Sequence, residues 1–364
     1  MAWTWEAPIS MPLRSGLGRL ITYVVWATAT GAIADCQENL SLVTTDVVPV
    51  ASGHGLNHLL PVKSGAEGQI LIRFDVDTVT SIAADGKRVW DASLTQVPEL
   101  TNAGLSDFAA GDGDEVYLLA ERQEVPGDPS SSVTYIVRFR PSGDRSIVKL
   151  SDSRSGPFHG RQLAVFGSGD FFVSGFLQGA PNATAFIFNN SGQVVKELSF
   201  ANDVRLEEPN QRHPSLKDLS GQPTSEVEFR DRVEASWAQR SSDGNVYLAR
   251  TDPKGPVFIV TPGGKVTRMA LKPPAEESRL YSVLLDRGSV LSEYRVTQKD
   301  QAKPRKCSLR IMNLATEQIR GTAEYAVDVR NNAIGPVQYK DGLLTYIGLA
   351  KDNHLRIVKV RLQP

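Results

Sequence analysis

The sequence predicts an all-β chain closed into a six-bladed β-propeller of four-stranded antiparallel blades, and three observations carry that prediction. Short apolar runs alternate with Gly and Asp turns through most of the chain, with no sustained helical period. The runs recur as a unit of about 40 to 50 residues holding four strands, the size of a propeller blade. The last unit stops one strand short, while a spare β-type run, Leu42-Val43-Thr44-Thr45-Asp46-Val47-Val48, stands ahead of the first.

Composition narrows the function classes. The 364 residues set 40 Lys+Arg against 41 Asp+Glu, and 41% are apolar. Such balance argues against electrostatic nucleic-acid binding, and the apolar content against a disordered chain. Two cysteines are too few for a disulfide scaffold or a four-thiolate zinc site.

The first 34 residues read as a secretory signal peptide. Arg14 and Arg19 precede the apolar run at 20–27, and small residues lead to Ala32-Ile33-Ala34, with cleavage expected after Ala34. Residues 20–34 include Thr22, Thr28, Thr30 and Gly31, short and polar for a membrane anchor. Met11 competes with Met1 as the start. Cys36 suggests lipidation, but Asp35 stands where that signal needs a small residue. No later run reaches eighteen apolar residues, so a mature chain of residues 35–364 is expected as one secreted or periplasmic propeller domain without a membrane span. In an exported protein Cys36–Cys307 is a candidate disulfide, open against two unpaired thiols because spacing does not fix geometry.

The clearest blade opens with Ala235-Ser236-Trp237-Ala238, turns at Ser242-Asp243-Gly244, and continues through Asn245-Val246-Tyr247-Leu248. Val257-Phe258-Ile259-Val260 and the turn Pro262-Gly263-Gly264 lead to its fourth strand. The same order recurs at 105–150 with turns Asp112-Gly113 and Pro141-Ser142-Gly143, and at 161–200 with Ser168-Gly169 and Asn190-Ser191-Gly192. Weaker copies lie at 279–325, at 58–94 with Asp85-Gly86, and from about Gly335 with Asp341-Gly342. Residues 42–48 are expected to complete the sixth blade as its outer strand, which removes an exposed edge. A seventh blade and an open sandwich are the competing arrangements.

The turn-strand units Asp243-Gly244-Asn245-Val246-Tyr247-Leu248 and Asp112-Gly113-Asp114-Glu115-Val116-Tyr117-Leu118 resemble the six-bladed propellers of the NHL-repeat, TolB-like and gluconolactonase-like superfamily. The strand endings Phe139-Arg140-Pro141-Ser142-Gly143 and Val260-Thr261-Pro262-Gly263-Gly264 extend the likeness over residues 42–362. It implies a fold and no activity. In this frame Cys307 begins a third strand, on the face opposite the entry of the closing strand, so the bond would need residues 36–41 to run along the strand height.

Each blade should carry tight turns on one face and longer connections on the other. All five His (His54, His58, His159, His213 and His354) fall on the long-loop face, as does a polar insertion at 201–233 that could serve as a lid or binding loop. The starts of the innermost strands place His58, Asp107, Arg161, Glu234 and Arg279 toward the axis, with His54, Asn57, Asn102 and His159 above them. Such a cluster offers acids, bases and polar ligand contacts. Structural roles compete: Asp107 bonding amides around the ring, or Arg161 pairing with Glu234.

No cofactor is predicted. The gluconolactonase-like resemblance would imply calcium on the axis, for which Asp107, Glu234, Asn57 and Asn102 are the available ligands, while Arg161 and Arg279 put positive charge nearby. There is no G-x-S-x-G elbow or P-loop. Asn39, Asn182 and Asn189 head glycosylation sequons. Two functions follow: a monomeric recognition module that binds a peptide, glycan or small ligand on the long-loop face, or a hydrolase or lyase with an axial, metal-dependent or metal-free site.

Overall fold

The computed structural model describes residues 38–50, 61–65, 68–151, 157–177, 183–198, 236–250, 257–269, 271, 273–275, 278–296, 305–327, 333–349 and 354–363. All of them belong to one compact unit. The signal-peptide reading, Cys36 and the whole of the 201–233 insertion lie outside these residues.

Two strands come first, the short β1 (Glu38–Asn39) and the nine-residue β2 (Ser41–Pro49). Blade 1 follows as β3 (Val62–Ser64), β4 (Ile70–Arg73), β5 (Thr78–Ile82) and β6 (Arg88–Ser93). Blade 2 is β7 (Gly104–Ala110), β8 (Val116–Gln123), β9 (Ser132–Phe139) and β10 (Arg145–Lys149). Blade 3 is β11 (Phe158–Val165), β12 (Phe171–Leu177), β13 (Ala183–Phe188) and β14 (Val194–Leu198). Blade 4 is β15 (Ser236–Arg240), β16 (Val246–Arg250), β17 (Val257–Val260) and β18 (Val266–Met269). Blade 5 is β19 (Ser278–Asp286), β20 (Ser289–Val296), β21 (Arg305–Asn313) and β22 (Ile319–Val327). Blade 6 contains β23 (Ala333–Lys340), β24 (Leu343–Leu349) and β25 (Leu355–Gln363).

The missing fourth strand of blade 6 is β2, antiparallel to β25 from Ser41↔Gln363 to Pro49↔Arg356. The two chain ends therefore close the ring together, as the spare run predicts. One feature was not expected: β1 adds to β22 in parallel, making blade 5 five-stranded before the chain crosses to blade 6.

The turns obey the glycine pattern. Gly86 and Gly192 adopt φ of 81° and 82°, which costs glycine nothing and a side chain much. Each also needs its missing Cβ. At Gly86 a Cβ would strike the Pro49 carbonyl oxygen, and at Gly192 the Lys149 carbonyl oxygen. The outer turn of one blade thus seats on the last strand of the blade before it, with β2 playing for blade 6 the part that β10 plays for blade 2.

The core lies between blades. Six apolar clusters each join two neighbours around the ring. Strand β8 shows how: Val116, Leu118 and Ala120 face blade 1, while Tyr117 and Leu119 face blade 3. Burial on both faces explains the unbroken run Val116-Tyr117-Leu118-Leu119-Ala120. Between blades 1 and 2, short 3-10 turns at Leu94–Gln96 and Pro98–Leu100 tuck Leu94, Val97 and Leu100 into the first cluster.

Candidate functional site

Four inner strands carry extra residues. The pairing of β7 with β8 skips Ser106, that of β11 with β12 skips Arg161, that of β19 with β20 skips Tyr281, and that of β23 with β24 skips Ile334 and Val337. A β-bulge bends its strand and re-aims the unpaired side chain, a device common beside functional sites. Period-two reasoning does not register these extra residues.

Ser106 and Arg161 line a groove of about 850 Å³ at the long-loop end of blades 2 and 3, together with Asn102, Glu121, Arg122, Gln123 and Glu124. Asn102 sits just before β7 with φ of 67°, a left-handed conformation that asparagine tolerates better than most residues. Glu121 organises the floor. Its Oε1 lies 2.7 Å from Nδ1 of His159, and its Oε2 lies 3.6 Å from a guanidinium nitrogen of Arg161. His159 and Arg161 are thereby held by a carboxylate that the sequence reading did not single out, and Asn102 lines the same groove. Its signal was available: Glu121 marks where β8 leaves the core and the apolar run turns polar.

The groove wall is braced. Arg122 donates to the Glu99 carbonyl oxygen and lies 3.3 Å from Glu124, whose carboxylate also accepts from the Tyr135 hydroxyl. Hydrogen bonding from Tyr135 and the charge of Lys149 hold the Glu124 carboxyl below its ordinary range.

Asp107 has a different part. It lies inside β7 rather than at its start, accepting from Lys63 Nζ at 2.7 Å and from the Leu163 amide at 2.7 Å. Lys63 also donates to the Leu163 carbonyl oxygen at 3.1 Å, so three blades are tied through one ion pair. This is the amide-bonding role set out for Asp107, with a lysine that the sequence reading did not single out. An ammonium thus already pairs with Asp107, and Glu234 and Asn57, the other carboxylate and one of the amides set out as calcium ligands, lie outside the described residues. Among the described residues no three His, Cys, Asp or Glu side chains converge as metal ligands.

His54, Asn57, His58, His213 and Glu234 lie outside the described residues. Arg279, on β19, pairs in register with Arg295 on β20, and His354 is exposed just before β25. Cys307 is buried on β21, opposite both Arg295 and Tyr325, while Cys36 is outside the described residues.

The tight-turn end holds cavities that the sequence did not announce. All six blades contribute to one of about 240 Å³ at the axis, including Lys63, Asp112, Arg240, Asp286 and Gln338. Arg240 of blade 4 reaches Asp112 of blade 2 at 2.8 Å. Between blades 5 and 6, fully buried Glu293 accepts from Tyr325 at 2.6 Å and Arg295 at 3.0 Å, and the Tyr346 hydroxyl continues the chain at 3.3 Å. Burial pushes the Glu293 carboxyl up, against the opposing pull of Arg295 and Tyr325.

No family model matches the chain, and no curated protein does. Among solved structures it is similar to a protein of unknown function from Bacteroides caccae, at 11% identity over 80% of this chain and 90% of that one, with a TM-score of 0.38. A likeness this low carries no argument about function.

Proposed function

We propose that this propeller is an exported recognition module, secreted or periplasmic, that binds a peptide, glycan or small polar ligand on its long-loop face through the groove between blades 2 and 3. One observation carries the reading: the groove collects Asn102, Glu121 and Arg161 at a bulged inner strand, where polar side chains of both signs meet. Asp107, the acid nominated at the axis, is engaged by Lys63 and Leu163, which favours binding over axial acid-base chemistry. No helix among the described residues is long and apolar enough to cross a membrane. The protein acts as a monomer in this reading.

The test is a glycan and peptide array probed with residues 35–364, followed by titration of any hit against Arg161→Ala and Asn102→Ala. Loss of binding in both variants supports the groove; hits that both variants retain place recognition elsewhere and sink it. A hydrolase reading keeps one supporting contact, Glu121 on Nδ1 of His159, since a carboxylate there orients the imidazole with Nε2 as a base. Turnover of a bound hit that disappears in His159→Gln would favour it.

A further inference from the structure

On the face opposite the long loops, neighbouring turns are mostly bonded to each other. Gly167 donates to Gly244, the Arg287 amide to Ser242, the Asp341 amide to Asp286, and Gln338 to Gly65. Among the described residues no such bond joins the tight turns of blades 1 and 2 or of blades 2 and 3, and between blades 2 and 3 lies a cleft of about 330 Å³. Its apolar side is formed by Tyr117, Val165 and Phe171, with the two rings 5.7 Å apart.

The polar side has a particular valence. Glu115 accepts from the Tyr117 hydroxyl at 2.8 Å, from Nε and a second nitrogen of Arg138, and from Arg140 at 3.2 Å, so its lone pairs are taken. Asp112, also at the cleft, is paired with Arg240 and mostly in water, where screening weakens it. Both carboxylates are thus already met by guanidinium groups, Asp112 by Arg240 and Glu115 by Arg138 and Arg140, of which Arg138 alone lines the cleft. Arg138 lines the cleft, is partly exposed, and keeps N–H donors beyond those given to Glu115.

We propose that this cleft binds an amphipathic carboxylate, with the apolar body against Tyr117, Val165 and Phe171 and the carboxylate on Arg138. A guanidinium held in place by Glu115 suits a planar acceptor of matching geometry, and the volume suits a small body such as a phenyl-propyl group. The carboxylate belongs to a free organic acid or to the C-terminal residue of a peptide.

Calorimetric titration with 3-phenylpropionate, with an acetylated tripeptide ending in phenylalanine, and with the amide of each separates these sources. Binding of the acid alone assigns a free metabolite, and binding of the peptide assigns a chain terminus. Each amide should bind about tenfold more weakly than its acid. Arg138→Lys keeps a cation for Glu115 but loses the planar fork, and should weaken binding by about tenfold. Ser146→Trp, at an exposed position of β10 on the cleft rim, should block it while the chain still folds. The proposal is overturned if neither acid binds, if acids and amides bind equally, or if Ser146→Trp binds like the parent protein.

Discussion

Two glutamates buried in the same propeller meet opposite fates. Glu115, at the tight-turn end of blade 2, is surrounded by Tyr117, Arg138 and Arg140. Burial alone would raise its carboxyl, but the bonds from Arg138, Tyr117 and Arg140 outweigh that and hold it below the ordinary carboxylate range. Glu293, between blades 5 and 6, is buried more deeply and uses one oxygen for both of its donors, while its Oε2 has no partner. Its carboxyl is pushed up instead. Burial pushes both carboxyls up, and only at Glu115 do donors on both oxygens outweigh it.

The two sites should respond to pH in opposite directions. A carboxyl raised in the folded state contributes stability below its unfolded value, about 4.3, and loses it as pH rises through the folded value. Glu293 follows that rule. A depressed carboxyl contributes above the unfolded value and loses the contribution as pH falls through the folded one, as for Glu115.

The sharpest tests begin with an apolar reference. Leu118→Ala, in the cluster between blades 1 and 2, should cost about 3 kcal/mol in urea unfolding with no dependence on pH. Arg138→Ala leaves Glu115 short of its main donor and should cost about 2 kcal/mol at neutral pH, with the deficit shrinking in acid. A deficit that stays constant into acid would break the assignment of Glu115 as the charged partner. Tyr325→Phe removes a donor from Glu293 and should cost about 1 kcal/mol while steepening the loss of stability as pH rises. Glu293→Gln should change stability by less than about 1 kcal/mol at neutral pH and flatten that loss. If it instead destabilises strongly at neutral pH, Glu293 is a charged partner of Arg295 and the contrast with Glu115 fails. Arg161→Ala should be the mildest, within about 0.5 kcal/mol, because its pairing with Glu121 is long and partly exposed. Its effect belongs to ligand binding.

The contrast also shows why some residues were legible before folding and others were not. The spare run at 42–48 announced β2 because an unpaired outer strand leaves a ring open, and the gap at the end of blade 6 has the same cause. The turn glycines were legible because their positive φ is a local property. Placing blade boundaries pointed to Asn102, His159 and Arg161 as candidates but not to Glu121, whose pairing with His159 and Arg161 depends on which strand ends stand beside β11. Ser106, Arg161 and Tyr281 gained their special positions through bulges, and a single added residue leaves the local alternation almost unchanged.

By itself, the sequence determined what depends on short spans: strand runs buried on both faces, glycines where turns need positive φ, six repeats, and a first strand able to complete the last blade. Only the tertiary structure decided how residues far apart in the chain share charge. Lys63, Asp107 and Leu163 come from three blades, and Arg240 reaches past blade 3 to Asp112. Whether a buried carboxylate is held charged or pushed toward neutrality depends on how many donors arrive from other strands, a count that exists only once the ring is closed.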